Sequence, residues 1–191
     1  MAGEINICNS ALAKIGQPAI TTFTEGSDAA NWCSTLYEPL RDDLLRAHAW
    51  NFAVKRVKLA RLVAEPVFGF DYQYQLPANC LRVLDVFGDD AGDSRPVYRL
   101  EERMLLSDWT DIWLEYIDQI SDANVMAADF REILAIRLAS ELAISLANSN
   151  ARAEALMELY ERRLGKARST DAIENYPERL PEGSWVTERW S

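Results

Sequence analysis

The sequence has a single histidine, three cysteines and no excess of positive charge. Lys and Arg number 20 against 30 Asp and Glu, a formal net charge of −10. Broad phosphate binding needs clustered cations, so non-specific binding of duplex DNA is not expected. No apolar run approaches the ~20 residues of a bilayer-spanning helix, so no membrane partner is expected. The opening residues, Met1 to Asn6, carry neither a basic stretch nor an apolar core, and no secretory signal is expected. Cys8, Cys33 and Cys80 are widely spaced with no CxxC pair, which suits structural thiols in a reducing compartment. One imidazole and scattered thiols are too few for a zinc site, and neither metal nor cofactor is expected. The sequence also lacks GxGxxG, GxxxxGK[ST], HExxH and GxSxG.

What is present is ordinary globular composition: 191 residues, 49% apolar and 26% charged. That length fits one domain, read as 1–174, with an appended tail. Residues 4–15 carry Ile5, Cys8, Leu12 and Ile15 on a helical stripe, stopped by Gly16-Gln17-Pro18. A second helix is expected over 28–47, capped by Ser27 or Asp28, with Ala29, Cys33, Leu36, Tyr37, Leu40, Leu44 and Ala47 on its apolar stripe. Pro39 inside it predicts a kink or interruption. Arg41, Asp42, Asp43 and Arg46 are expected on its solvated face, with Asp42 and Arg46 as an i, i+4 ion pair. Two further helices are expected over 127–147 and 151–172. The first should bury Phe130, Ile133, Leu134, Leu138, Leu142, Ile144 and Leu146; the second should bury Ala155, Leu156, Leu159, Tyr160, Leu164 and Ala167.

Between the second and third helices, about 52–120, the pattern changes to short extended runs. Residues 70–76 alternate, 81–87 form an apolar run, and 97–100, 104–106 and 112–117 are further strand candidates. The expected fold class is therefore α+β: a four-helix bundle with an inserted small antiparallel β unit and an extended C-terminal arm. Tyr72 and Tyr74 are expected as a cross-strand aromatic pair. The arm, 175–191, holds two Pro and one Gly and has no helical period, yet carries Tyr176, Trp185 and Trp190. Such rings either fold back onto their own domain or anchor on another chain. The second is expected, with these three as interface anchors.

Catalytic candidates are few. His48 sits at a helix end beside Trp50 and reads as packing with a local helix contact. The acidic doublets Asp42-Asp43, Asp89-Asp90 and Glu101-Glu102 are neighbours in sequence that point different ways, so they do not read as a dyad. No catalytic residue is assigned.

The order of segments is more informative than any one of them. A short helix, Glu4 to Gly16, is followed by a polar loop and Arg41-Asp42-Asp43-Leu44-Leu45-Arg46-Ala47-His48-Ala49-Trp50-Asn51-Phe52-Ala53. Then come Tyr74-Gln75-Leu76-Pro77-Ala78-Asn79-Cys80-Leu81-Arg82-Val83 and Leu138-Ala139-Ser140-Glu141-Leu142-Ala143. Over about 1–172 this resembles the head-to-tail adaptor (connector) family of tailed bacteriophages, the tail tubular protein A type. The family often has His-Pro-Trp where this chain has His48-Ala49-Trp50, a difference confined to a local turn. The resemblance implies a helical bundle with an inserted β region and a structural, non-enzymatic role in the virion. It implies a homo-oligomeric ring, twelve-fold in the family, between the portal protein and a tail nozzle or other tail protein. A negative lumen would let duplex DNA slide without specific binding. The subunit would be made in the host cytoplasm and reside at the capsid vertex. Two other classes stay open on the residues alone: a phage-associated peptidoglycan hydrolase using Asp or Glu, and a small acidic helical binding module.

Overall fold

The computed structural model of the chain describes residues 2–88 and 95–174. Four helices, α1 (Ala2–Ile15), α2 (Asp28–Ala47), α3 (Ala128–Ser145) and α4 (Asn150–Glu174), enclose in sequence six strands between α2 and α3. The class is mixed α+β. The doublet Asp89-Asp90 and the anchors Tyr176, Trp185 and Trp190 lie outside the described residues.

Local chemistry sets the helix ends. Gly16 adopts φ 77°, and the amides of Gly16 and Gln17 close back on Ala13 and Leu12 carbonyls at 3.2 and 3.0 Å, a Schellman ending. Ser27 is the N-cap of α2, its Oγ accepting from the Ala30 amide at 3.2 Å. Between α3 and α4, Asn148 takes φ 46° and Ser149 Oγ accepts from the Arg152 amide at 3.3 Å.

α2 runs through Pro39 as one helix, so the interruption expected there does not occur. Pro39 and Thr35 are both solvent-exposed, so the Thr35 carbonyl left without an amide partner faces water. Arg41 is not on the solvated face but 2% exposed, with its guanidinium 5.9 Å from the Tyr37 ring centroid. The expected Asp42–Arg46 pair does not form. Asp42 instead accepts from Arg41 Nε at 2.8 Å and from Gln119 Nε2 at 2.6 Å, while Arg46 donates to the Leu81 carbonyl. A neighbouring element offered better partners than the helix's own next turn.

α3 is the packing hub, in contact with α1, α2 and α4. Phe130, Ile133, Leu134, Ala135, Leu138, Ala139 and Leu142 are all buried, and the small Ala positions let neighbours approach closely. Ile144 lies half exposed near its end, outside the expected face. α4 buries only a narrow line, Ala153, Leu156, Ala167 and Asp171. Ala155, expected inward, is exposed because the line runs through Ala153 instead. Cys8 and Cys33 meet in this core with no exposure. The hydrogen bond between their thiols, together with burial, pushes the Cys8 thiol up and keeps it neutral.

The β region is two antiparallel three-stranded sheets. The first has order β1-β6-β3, from β1 (Val54–Lys58), β6 (Trp113–Asp118) and β3 (Cys80–Phe87). The second has order β2-β5-β4, from β2 (Tyr72–Gln75), β5 (Met104–Ser107) and β4 (Tyr98–Glu101). Register shifts in β3 at Cys80/Arg82 and Val83/Asp85 break its alternation and leave most of its residues half-buried. A second apolar cluster, including Tyr74, Leu105, Val86, Ile112 and Leu114, joins the two sheets. Tyr72 and Tyr74 do not form the expected aromatic cross-strand pair, since their partners on β5 are Ser107 and Leu105.

Candidate functional site

The junction between helices and sheets is built on the segment His48 to Ala53. Trp50 is fully buried, and its Nε1 donates to the Leu44 carbonyl at 3.0 Å. Its ring meets His48 edge-on at 4.8 Å and Phe130 at 5.2 Å between centroids. His48 Nε2 donates to Asp171 Oδ2 at 3.1 Å, and the Asn51 amide donates to Asp171 Oδ1 at 3.1 Å. Asn51 Nδ2 donates to the Asp171 carbonyl at 2.7 Å. His48 therefore makes a long-range contact to α4 rather than the local helix contact expected of it. Nothing in the sequence marks Asp171 as its partner, because 123 positions separate them. The arrangement is a joint: a buried ring and a buried carboxylate tie the turn that leads into β1 to α3 and α4.

A second pin lies on the first sheet. Asp118, 2% exposed, receives Lys55 Nζ at 2.5 Å and the Asn79 side-chain amide. The carboxylate raises the Lys55 ammonium above its ordinary value through this bond and its charge. Beside it, a groove of about 420 Å³ is bordered by Arg46, Arg82, Arg103, Cys80 and Leu100. Arg103 Nη2 donates to the Pro77 and Ala78 carbonyls at 2.5 and 2.9 Å. Burial pushes the Cys80 thiol up, while Arg103 opposes it. Three guanidinium groups against one acid, Glu102, give the groove a local positive excess in a chain of net charge −10.

The remaining surface features are apolar. The segment between β1 and β2 projects Val63, Val67 and Phe68 at 102%, 97% and 81% exposure. Its base is fixed: the Leu62 amide donates to the Gln73 carbonyl, Gln73 Nε2 donates to the Ala64 carbonyl, and Arg61 lies over the Tyr72 ring at 4.7 Å. On the far side of the same sheet, β4 is an edge strand with all four residues exposed. Tyr98 and Leu100 are its exposed apolar side chains, and Val97, just before it, is exposed as well.

Two of the acidic candidates are held in ion pairs or hydrogen bonds. Asp42 is engaged by Arg41 and Gln119, and Glu101 receives Arg99 Nε at 3.1 Å. Among the described residues, no group of three or more His, Cys, Asp and Glu is placed to hold a metal, and no helix is long and apolar enough to cross a membrane. Sequence reasoning missed both the joint and the two apolar edges of the second sheet. The run Val63 to Phe70 held the only readable signal, apolar residues around Pro66 and Gly69 where a polar loop would be usual. No known family model matches the chain, and no curated protein matches it.

Proposed function

We propose that the chain is a subunit of the ring-shaped head-to-tail adaptor of a tailed bacteriophage, seated between the portal protein and the tail. The observation that carries the reading is the placement of the β region. It is inserted between α2 and α3, while the helical segments that bear the resemblance share one buried core. In this reading the four helices form a bundle around α3, and the chain is a structural virion protein with no catalytic residue. The joint at His48, Trp50 and Asp171 suits a part that transmits load and must not flex. Duplex DNA passes through the lumen during packaging retention and ejection, and the acidic balance keeps it from sticking. Tyr176, Trp185 and Trp190 anchor the arm on a neighbouring subunit, the portal or the tail nozzle.

The test is a low-resolution particle image of purified portal mixed with this chain. The expected result is a ring of about twelve copies on the portal face, from a protein that is monomeric alone when dilute. A stable small dimer indifferent to portal would overturn it. So would micromolar duplex binding with a steep salt dependence.

A further inference from the structure

A ring needs a heterologous contact, in which one patch of a subunit meets a different patch of the next. The second sheet carries two such patches on opposite edges. One is the projecting segment that holds Val63, Val67 and Phe68, which extends the sheet beyond β2 through the bridge of Arg61 to Tyr74. The other is β4, whose outer edge pairs with no strand among the described residues and whose Tyr98 and Leu100, with Val97 just before them, are exposed. Fully exposed Val and Phe on an anchored segment are unfavourable in water, and the unpaired backbone groups of an exposed edge strand invite pairing, although β4 is only four residues long and carries Arg99 and Glu101.

We propose that these two edges are the two halves of one interface: the projecting segment of each subunit docks on the β4 edge of the next copy, head to tail. The inference rests on the ring reading and names the surfaces that would build it. Charge fits as well as polarity. The projecting segment carries Glu65 and ends at Asp71; on the other side Arg99 of β4 is already paired with Glu101, and the groove beside Leu100 sets Arg46, Arg82 and Arg103 against one acid, Glu102. The acids of one edge thus meet a groove with an excess of guanidinium groups. A second copy is favoured over a foreign partner because one contact, repeated, covers both edges of every subunit at once. Like-to-like pairing would set apolar segment against apolar segment and leave the cationic groove without its complement.

Disulfide trapping between separately purified full-length chains tests the pairing. Both chains carry Cys80→Ser to remove the half-buried native thiol. One carries Phe68→Cys and the other Leu100→Cys. Both positions are exposed, so neither change threatens the fold. After mixing and mild oxidation, the mixed disulfide is expected in clear excess over the two like-with-like dimers. Glu65→Lys in the Phe68→Cys chain should remove most of that excess. A single chain with both substitutions should give a ladder of multimers ending at the closed ring. A random distribution of the three dimers, or like-with-like dimers in excess, would overturn the proposal. Rings on the portal with random cross-linking would sink this interface and leave the adaptor reading. A full ladder from a chain that never seats on portal would do the reverse.

Discussion

Asp171, near the end of α4, holds His48 at the end of α2 through a 3.1 Å hydrogen bond from Nε2 to Oδ2. The other carboxylate oxygen takes the backbone amide of Asn51, so one side chain fixes the turn into β1 from 120 positions away. Asp171→Ala removes both acceptors and leaves a part-buried amide without a partner. Hydrogen bonds to charged groups are worth about 1.5–3 kcal/mol each, and non-additivity lowers the sum, so a loss of about 2–4 kcal/mol is expected. Asp171→Asn keeps the shape and one acceptor and should lose about half as much. Urea unfolding measures both. A loss below about 0.5 kcal/mol for the alanine variant would mean that water replaces these bonds at no cost.

Trp50 is the apolar half of the same joint. Trp50→Ala should destabilise by about 3–5 kcal/mol, the range for a large aromatic removed from a core. Trp50→Phe keeps most of the ring packing against Phe130 but strips the donor from the Leu44 carbonyl, so about 1–2 kcal/mol is expected. Equal losses for the two variants would show that the indole hydrogen bond, not the packing, dominates.

Pro39 offers a gain. It sits exposed inside an unbroken helix where its missing N–H leaves Thr35 without a helical partner. Pro39→Ala restores that bond and replaces the poorest helix former with the best, so a stabilisation of about 1–3 kcal/mol is expected. A differential scan comparing the two proteins decides it. A lower melting temperature would mean that α2 needs the ring at this position for its path.

Much of this fold was legible because its signals are local. Ile5, Cys8, Leu12 and Ile15 predict α1 from spacing alone, and all but Ile5 are fully buried. Ser27 declares the start of α2, and the extended runs at 81–87 and 104–106 become β3 and β5 with small changes of boundary. What was not legible depends on partners far away in the chain. Arg41 and Asp42 read as a solvated pair of turns, yet Arg41 is buried and Asp42 reaches Gln119, 77 positions on. The division of the β unit into two sheets is not readable either, because period-2 alternation says which face is buried, not which strand lies alongside. Tyr72 and Tyr74 lacked aromatic partners for the same reason, since register is set across the sheet by β5.

The last prediction concerns acid, and it starts from the loop between α1 and α2. Glu25 is fully exposed, yet its carboxylate is held down from the usual 4.5 to about 2. The Thr21 amide at 2.7 Å comes first among the causes, then the Ser27 hydroxyl at 2.7 Å and the Thr21 hydroxyl at 2.8 Å. These donors favour the charged form, so the folded value lies below the unfolded one. The stability they add is therefore fully present above pH 4.5 and is lost as the pH falls toward 2. The chain of contacts runs further: Ser27 Oγ donates to Glu25 Oε1 and accepts from the Ala30 amide, so protonating Glu25 loosens the cap that starts α2. Carbon-13 NMR of the Glu25 carboxyl should show a midpoint near 2, and the Ala30 amide should shift with the same midpoint. Glu25→Gln should flatten the acid limb of the stability curve between pH 4.5 and 2 and leave its neutral shape unchanged. A Glu25 midpoint near 4.5 would show that the loop does not hold these donors on the carboxylate in solution.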